Sequence, residues 1–238
     1  MAGHSKWANI KHKKSKEDAK RGQSFTKITK EMTVAARTGG GDPSGNVRLR
    51  QLIEKARAVN MPQDNITRAI KKGTGELPGL QYESFTYEGS GPGGMAIILD
   101  ILTDNNNRTV ADMRHLFNKY NGNLGASGAV SWMFDHLGVI RTADPKLSED
   151  ALLEMLMDFD LQDISIAEEM LTITTTIPAL IPVKETLEKA GITVEHAELE
   201  WVPKSTIELL EDKEEAAHKL LEKLEEQEDV QNLYTNLN

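Results

Sequence analysis

Apolar positions recur at helical spacing through the first third of the chain and then change to the alternation expected of strands. At about 100° per residue, Phe25, Ile28, Met32 and Ala35 share one face of a helix predicted over residues 17–37. Lys16, Lys20, Lys27, Lys30 and Arg37 surround its other face, and Gly39, Gly40, Gly41, Asp42 and Pro43 end it. A second helix starts near Asn46 with Leu49, Leu52, Ile53, Ala56 and Val59 as its stripe. A third opens at Pro62 and closes at Gly73, with Ile66, Ala69 and Ile70 inward and Arg68, Lys71 and Lys72 outward. The three form a small bundle with basic outer faces. Residues 1–15, ahead of it, read as an extended arm, because Trp7 stands almost alone among polar and basic positions.

After the segment GTGELPGL the period shortens. Residues 85–87 and 95–102 flank a glycine-rich turn and predict a hairpin, followed by a helix over 110–120 and a strand over 130–134. Residues 138–200 then read as a complete β-α-β-β-α-β unit. Its strands lie at 139–141, 164–167, 171–176 and 192–199; its helices lie at 148–159, capped by Ser148, and 179–189. That order is the ferredoxin-like split motif. A strand at 206–209, a helix at 213–226 and a strand at 230–234 complete a second split motif begun at 95–134. The predicted class is α+β, with a helical bundle and two ferredoxin-like α+β domains, one inserted in the other. The expected boundaries are 1–76 for the arm and bundle, 77–136 with 204–238 for the outer α+β domain, and 137–203 for the insert.

Charge sharpens this division. The 238 residues carry a net charge of −9, yet residues 1–75 hold 17 Lys and Arg against 6 Asp and Glu, and the rest hold 11 against 31. A polyanion-binding segment joined to an acidic body fits that asymmetry. Cysteine is absent, so disulfides are excluded. The longest apolar run, 95–102, is broken by Asp100 and is too short to cross a bilayer. No apolar segment follows the basic start, as a secretory signal requires. A cytoplasmic protein is expected.

Most candidate chemistry fails on spacing. Gly89, Gly91 and Gly94 fit G-x-G-x-x-G, but the run enters a strand instead of opening a helix, so a hairpin turn is expected and no dinucleotide. Gly40 and Gly45 have P-loop spacing, but Asn46 and Val47 occupy the Lys-Ser/Thr positions. The six histidines are scattered and form no H-E-x-x-H, so no metal or other cofactor is expected. Ten acids between Glu208 and Asp229 spread around a helix and read as a solvated face. No nucleophile–base set emerges, and no enzyme is expected.

Two basic or polar features remain. Lysines neutralise phosphate without reading sequence, and Trp7 and His12 suit stacking on unpaired bases. The candidate nucleic-acid contacts are Lys6, Trp7, Lys11, His12, Lys13, Lys14 and Lys16 on the arm, with Lys20, Arg21, Lys27 and Lys30 on the first helix. Arg48 and Arg50 on the second helix and Arg68, Lys71 and Lys72 on the third complete the set. The polar run between strand and helix is a second candidate. Asn105, Asn107, Arg108 and Thr109 exceed what one helix cap needs, and Arg108 opposes the helix dipole there.

The stretches AGHSKWANIKHKK, GGGDPSGNVRLRQLIEKARAVNMPQDNITRAIKKGTGE, YEGSGPGGMAIILDILTDNNNRTVADMRHLF and GNLGASGAVSWMF closely resemble the YebC family, over nearly the whole chain. Val47 stands where many members have proline, and Asn106 where a basic residue is common. The resemblance implies three domains, one inserted in another, and regulation of gene expression without enzymatic activity. It implies either DNA binding as a transcriptional regulator, or action at the ribosome as a translation factor on ribosomal or transfer RNA. The basic arm and acidic body tilt the expectation towards RNA. A protein-interaction adaptor, with the acidic helix between Glu208 and Asp229 binding a basic partner, is the competing expectation.

Overall fold

The computed structural model describes residues 21–143, 147–167 and 170–238. The arm and its predicted contacts Lys6, Trp7, Lys11, His12, Lys13, Lys14, Lys16 and Lys20 lie outside the described residues. The chain divides into two compact units, one of Trp132–Thr206 and one of 21–131 with Ile207–Asn238. In chain order the elements are α1 (Arg21–Gly39), α2 (Val47–Ala58), α3 (Gln63–Gly73), β1 (Glu83–Ser90), β2 (Ala96–Thr103), α4 (Asn106–Lys119), β3 (Asn123–Leu124) and β4 (Phe134–Ala143). There follow α5 (Glu149–Leu156), β5 (Leu161–Ala167), β6 (Met170–Thr175), α6 (Leu180–Lys189), β7 (His196–Pro203), α7 (Glu211–Glu225) and β8 (Val230–Thr235).

In the larger unit, α1, α2 and α3 bury the faces their periodicity predicts, with Ile28, Met32, Leu49, Leu52 and Ile66 in one cluster. One side chain joins two of these helices. Asn46 Oδ1 accepts from the Leu49 amide at 3.0 Å, while its Nδ2 donates to the carbonyls of Ala35 and Gly40, each at 2.8 Å. It therefore caps α2 and ties that cap to α1. At Gly73 a Cβ would fall 2.4 Å from the Thr33 carbonyl, so the close approach of α3 to α1 requires glycine.

The sheet of this unit has the order β3-β1-β2-β8, and every pairing is antiparallel. Ile97, Leu99 and Ile101 of β2 pack on Met113 and Phe117 of α4 and on Leu220, Leu221 and Leu224 of α7. The glycine-rich run is the turn of the β1–β2 hairpin. Gly91 N donates to Met95 O at 2.8 Å, and Gly93 and Gly94 take positive φ.

Three sequence expectations change here. The helix predicted from 110 starts at Asn106, because Asn105 supplies the cap. Residues 130–133 are not a strand. The Glu88 carboxylate takes the amides of Gly128, Val130 and Ser131 at 2.7, 2.8 and 2.8 Å, which leaves the last two unable to join a ladder. The strand expected at 206–209 is a single bridge, Ile207 to Leu237. The outer sheet is therefore built on the hairpin with β3 and β8 at its edges, and the class remains α+β.

The smaller unit has the order β5-β6-β4-β7, again antiparallel, which is the expected split motif. Ile140, Leu171 and Ile173 pack under Leu152, Leu156, Val183 and Leu187 of its two helices. Ser148 caps α5 as predicted. The N-terminal end of β7 falls at His196, four residues later than expected. Arg141 grips Glu200 through two nitrogens at 2.6 and 2.8 Å, and His196 Nε2 lies 2.6 Å from the same carboxylate. Burial alone would raise the Glu200 pKa, but the bonds from Arg141 and His196 outweigh it and hold the group well below the ordinary carboxylate range.

Candidate nucleic-acid interface

Cations on a helix surface have two uses. They can meet an external anion, or they can meet the partial negative charge at another helix's C-terminus. In the bundle the lysines of α1 meet another helix's C-terminus, while other cations on α2 and α3 are exposed.

The lysines of α1 point inward to the sheet domain. Lys27 Nζ donates to the carbonyl of Glu225, the last residue of α7, at 2.8 Å. Gln23 donates to the carbonyl of Glu226 at 3.1 Å, and Lys30 Nζ to that of Glu228 at 3.0 Å. Lys30 also lies 2.6 Å from Asp229 Oδ1 and is buried. Together these groups satisfy carbonyls that the end of α7 leaves open. Lys30, expected as a surface contact, is thereby withdrawn from the surface, because its charge is neutralised inside the unit.

Asp229 also gathers the polar run. Thr103 and Thr109 donate their hydroxyls to its Oδ2 at 3.1 and 2.7 Å, and Arg108 Nη2 reaches the same oxygen at 3.1 Å. Burial would raise the Asp229 pKa, but donation from Lys30, Thr109 and Arg108 prevails and lowers it to about 2. The candidate loop is thus the first turn of α4 and its cap. Asn105 Oδ1 accepts from the Arg108 amide at 3.1 Å, Tyr87 donates its hydroxyl to Asn106, and Arg108 bridges Asp104 at 2.9 Å and Asp229. Thr109 is buried and unavailable to a ligand, correcting its place in the candidate set. Asn107 is exposed. Neighbouring carboxylates offset the unfavourable position of Arg108 at the helix start, which explains it without an external anion.

The outer faces of α2 and α3 differ. Arg50, Arg68, Lys71 and Lys72 are exposed, as are Lys55 and Arg57, which the sequence reading passed over. Arg68, Lys71 and Lys72 have no ion pair among the described residues, whereas Arg48 is half exposed and 2.6 Å from Glu31. Arg50 donates to the Pro43 carbonyl at 3.1 Å. Lys55 and Arg57 occupy the last turn of α2, and Lys71 and Lys72 that of α3, positions that also suit the helix dipole. For Arg21 only its place in α1 is described.

A second feature escaped the sequence reading. Trp132 is 68% exposed, and in the same unit His136 and Trp201 stack with centroids 4.6 Å apart. Lys204 Nζ donates to the Trp132 carbonyl at 3.1 Å. Nothing in the sequence signals it, since Trp132 stands between Val130 and Met133–Phe134 in a run that reads as apolar. Among the described residues no group of three or more His, Cys, Asp or Glu is placed to hold a metal ion. No described helix is long and apolar enough to cross a membrane.

Comparison with known proteins agrees with this architecture. The model for the TACO1/YebC protein N-terminal domain matches residues 5–76, and that for the TACO1/YebC second and third domain matches residues 82–237. The chain is 52% identical over 238 residues to a protein of Chlorobaculum tepidum named a probable transcriptional regulatory protein, covering 100% of this chain and 95% of the relative. A Persephonella marina protein of the same name is 54% identical, with 99% and 95% covered. The crystal structure of a conserved hypothetical protein from Aquifex aeolicus superposes with a TM-score of 0.87 at 47% identity, covering 98% of this chain and 97% of that one. Two family models that together span nearly the whole chain, and relatives more than half identical from end to end, lead to one conclusion: the chain belongs to the TACO1/YebC family.

Proposed function

We propose that the chain is a non-enzymatic, nucleic-acid-binding regulator of gene expression that acts in the cytoplasm. The observation that carries this is the set of exposed cations on α2 and α3, of which Arg68, Lys71 and Lys72 have no ion pair among the described residues. The names of the relatives support a role in gene regulation. RNA is the preferred target. The acidic body is repelled by a long duplex, while a structured or single-stranded RNA can meet the bundle and the basic arm locally.

The adaptor reading finds less support. The apolar face of α7, with Ala217, Leu220, Leu221 and Leu224, is buried in this chain's own core, and α1 caps its C-terminal carbonyls. Several of its exposed acids are paired along the helix, as in Glu215 with Lys219.

Ultraviolet crosslinking in cells, with sequencing of the attached nucleic acid, tests the proposal. The control replaces Lys11, Lys13, Lys14 and Lys16 with Glu, and a second reverses Arg68, Lys71 and Lys72. Ribosomal or transfer RNA enriched with the native chain and lost with either control is the expected result. Enrichment of discrete promoter DNA without RNA overturns the choice of RNA, and no nucleic acid in any sample overturns the proposal.

A further inference from the structure

Four α-helices follow the bundle among the described residues, and α4 differs from the other three in charge. It carries Arg108, Arg114 and Lys119 against a single acid, Asp112. α5 has three acids and no base, α6 two of each, and α7 six acids against three bases. On α6 and α7 several cations stand one turn from an acid that pairs with them. Lys184 meets Glu188, Lys219 meets Glu215 and Lys223 meets Glu226. Such spacing lets a solvated helix face satisfy its own charges.

α4 lacks that arrangement. Met113 and Phe117 anchor its inner face in the core. At about 100° per residue, Asn107, Ala111, Arg114, His115, Asn118 and Lys119 fall away from that face, and all six are exposed. The positions three and four residues from Arg114 are Val110, Ala111, Phe117 and Asn118, so the helix offers it no acid. Neither Arg114 nor Lys119 has an ion pair among the described residues; Lys119 Nζ instead lies 5.5 Å from the centre of the Tyr120 ring. Lys119 also suits the last turn of a helix, a role that Arg114 in mid-helix does not have. The remaining charges of α4 are accounted for. Arg108 is held by Asp104 and Asp229, and Asp112 lines the cavity around that hub with Arg108 and Lys30.

Two unpaired cations with neutral hydrogen-bonding groups between them match the chemistry of a sugar–phosphate chain. The cations neutralise phosphates, and an imidazole or amide donates to phosphate oxygens. An amide also accepts from the ribose hydroxyl that separates RNA from DNA. Ala111 keeps the middle of the face low, so a strand can come close. We propose that the outer face of α4 is a second contact for the phosphate backbone of a nucleic acid. Arg114 and Lys119 meet phosphates, and His115 and Asn118 hydrogen-bond between them. This rests on the function proposed above and extends it from the basic bundle to one basic helix of the acidic body. The acids on the neighbouring helices confine the contact to a short stretch of strand.

Equilibrium binding of the full chain to transfer RNA and to a duplex DNA, each over a range of salt, tests this. Arg114→Gln with Lys119→Gln removes the two charges, while Lys184→Gln with Lys189→Gln on α6 removes as many elsewhere. Ala111→Glu leaves every cation in place but adds an acid three residues from Arg114 and four from His115, the internal partner that α4 lacks. The first variant should bind RNA more weakly, with a salt slope reduced by about 1 per residue. Ala111→Glu should also bind more weakly, yet melt no lower than the native chain, and the α6 variant should bind as the native chain does. Equal binding of the duplex DNA, with the same losses, upholds the phosphate contact and overturns RNA as the preferred target. Unchanged binding in either α4 variant overturns the proposal, as does an equal loss in the α6 variant. Loss on replacing Arg68, Lys71 and Lys72 with Gln, beside unchanged α4 variants, overturns the α4 contact alone. A native chain that binds neither nucleic acid overturns the function as well. Binding of polyglutamate that needs Arg114 and Lys119, in place of nucleic acid, gives the face to an acidic protein and overturns the proposal.

Discussion

Lys30 and Lys72 look alike in the sequence, each a lysine on the polar side of a short amphipathic helix, yet they sit in opposite environments. Lys30 is buried against Asp229 and the end of α7, while Lys72 is exposed at the end of α3. The difference lies in what faces each helix. α1 runs past an open helix C-terminus and an acidic hub, whereas Arg68, Lys71 and Lys72 of α3 are exposed. Positive charge on a helix face therefore does not by itself mark a surface for a ligand; the fold decides whether that charge is matched internally.

Breaking the internal half should have the largest effect. Asp229→Ala leaves Lys30 buried and unpaired, and loss of one partner from such a pair costs about 3–5 kcal/mol, read as a lower urea midpoint with an unchanged slope. The same hub sets an acid limb. Because the folded pKa of Asp229 lies near 2 and the unfolded value near 3.9, its contribution is complete above about pH 4. It is lost as pH falls from there towards about 2. Asp229→Asn should flatten stability over that window; an unchanged acid limb would remove the hub from the account.

The external half should respond in binding and not in stability. Replacing Arg68, Lys71 and Lys72 together with Gln should reduce the salt slope of RNA binding by about 1 per residue, with urea midpoints unchanged. A variant that unfolds early instead would place these cations with Lys30. Between the two lies Asn46→Ala, which removes the α2 cap, one bond to α1 and one to Gly40 just beyond it; about 1–2 kcal/mol of destabilisation is expected from denaturant titration. The smallest effect belongs to Arg50→Ala. One exposed bond to the Pro43 carbonyl is lost, and stability should move by less than about 0.5 kcal/mol.

Local pattern alone was enough for the helices of the bundle, the Ser148 cap, the β1–β2 hairpin and the split motif of the smaller unit. Each depends on residues within a few turns or strands of one another, where periodicity and capping act. The same applies to the glycines of the hairpin, excluded as a dinucleotide site because a strand follows them. The polar run at 103–109 was legible only in part. Its cap was foreseeable, but its surplus of donors answers to Asp229, more than a hundred residues away.

Sequence by itself determined most of the elements, the α+β class and the separation of a basic segment from an acidic body. Tertiary structure decided which cations remain for a ligand. It placed Lys30 opposite a carboxylate 199 positions away and held residues 128–131 on Glu88 instead of in a sheet. Periodicity records which face of an element is apolar, but not which distant group that face or its opposite will meet. Electrostatic partners and cavities arise only when elements pack, so their assignment had to wait for the fold.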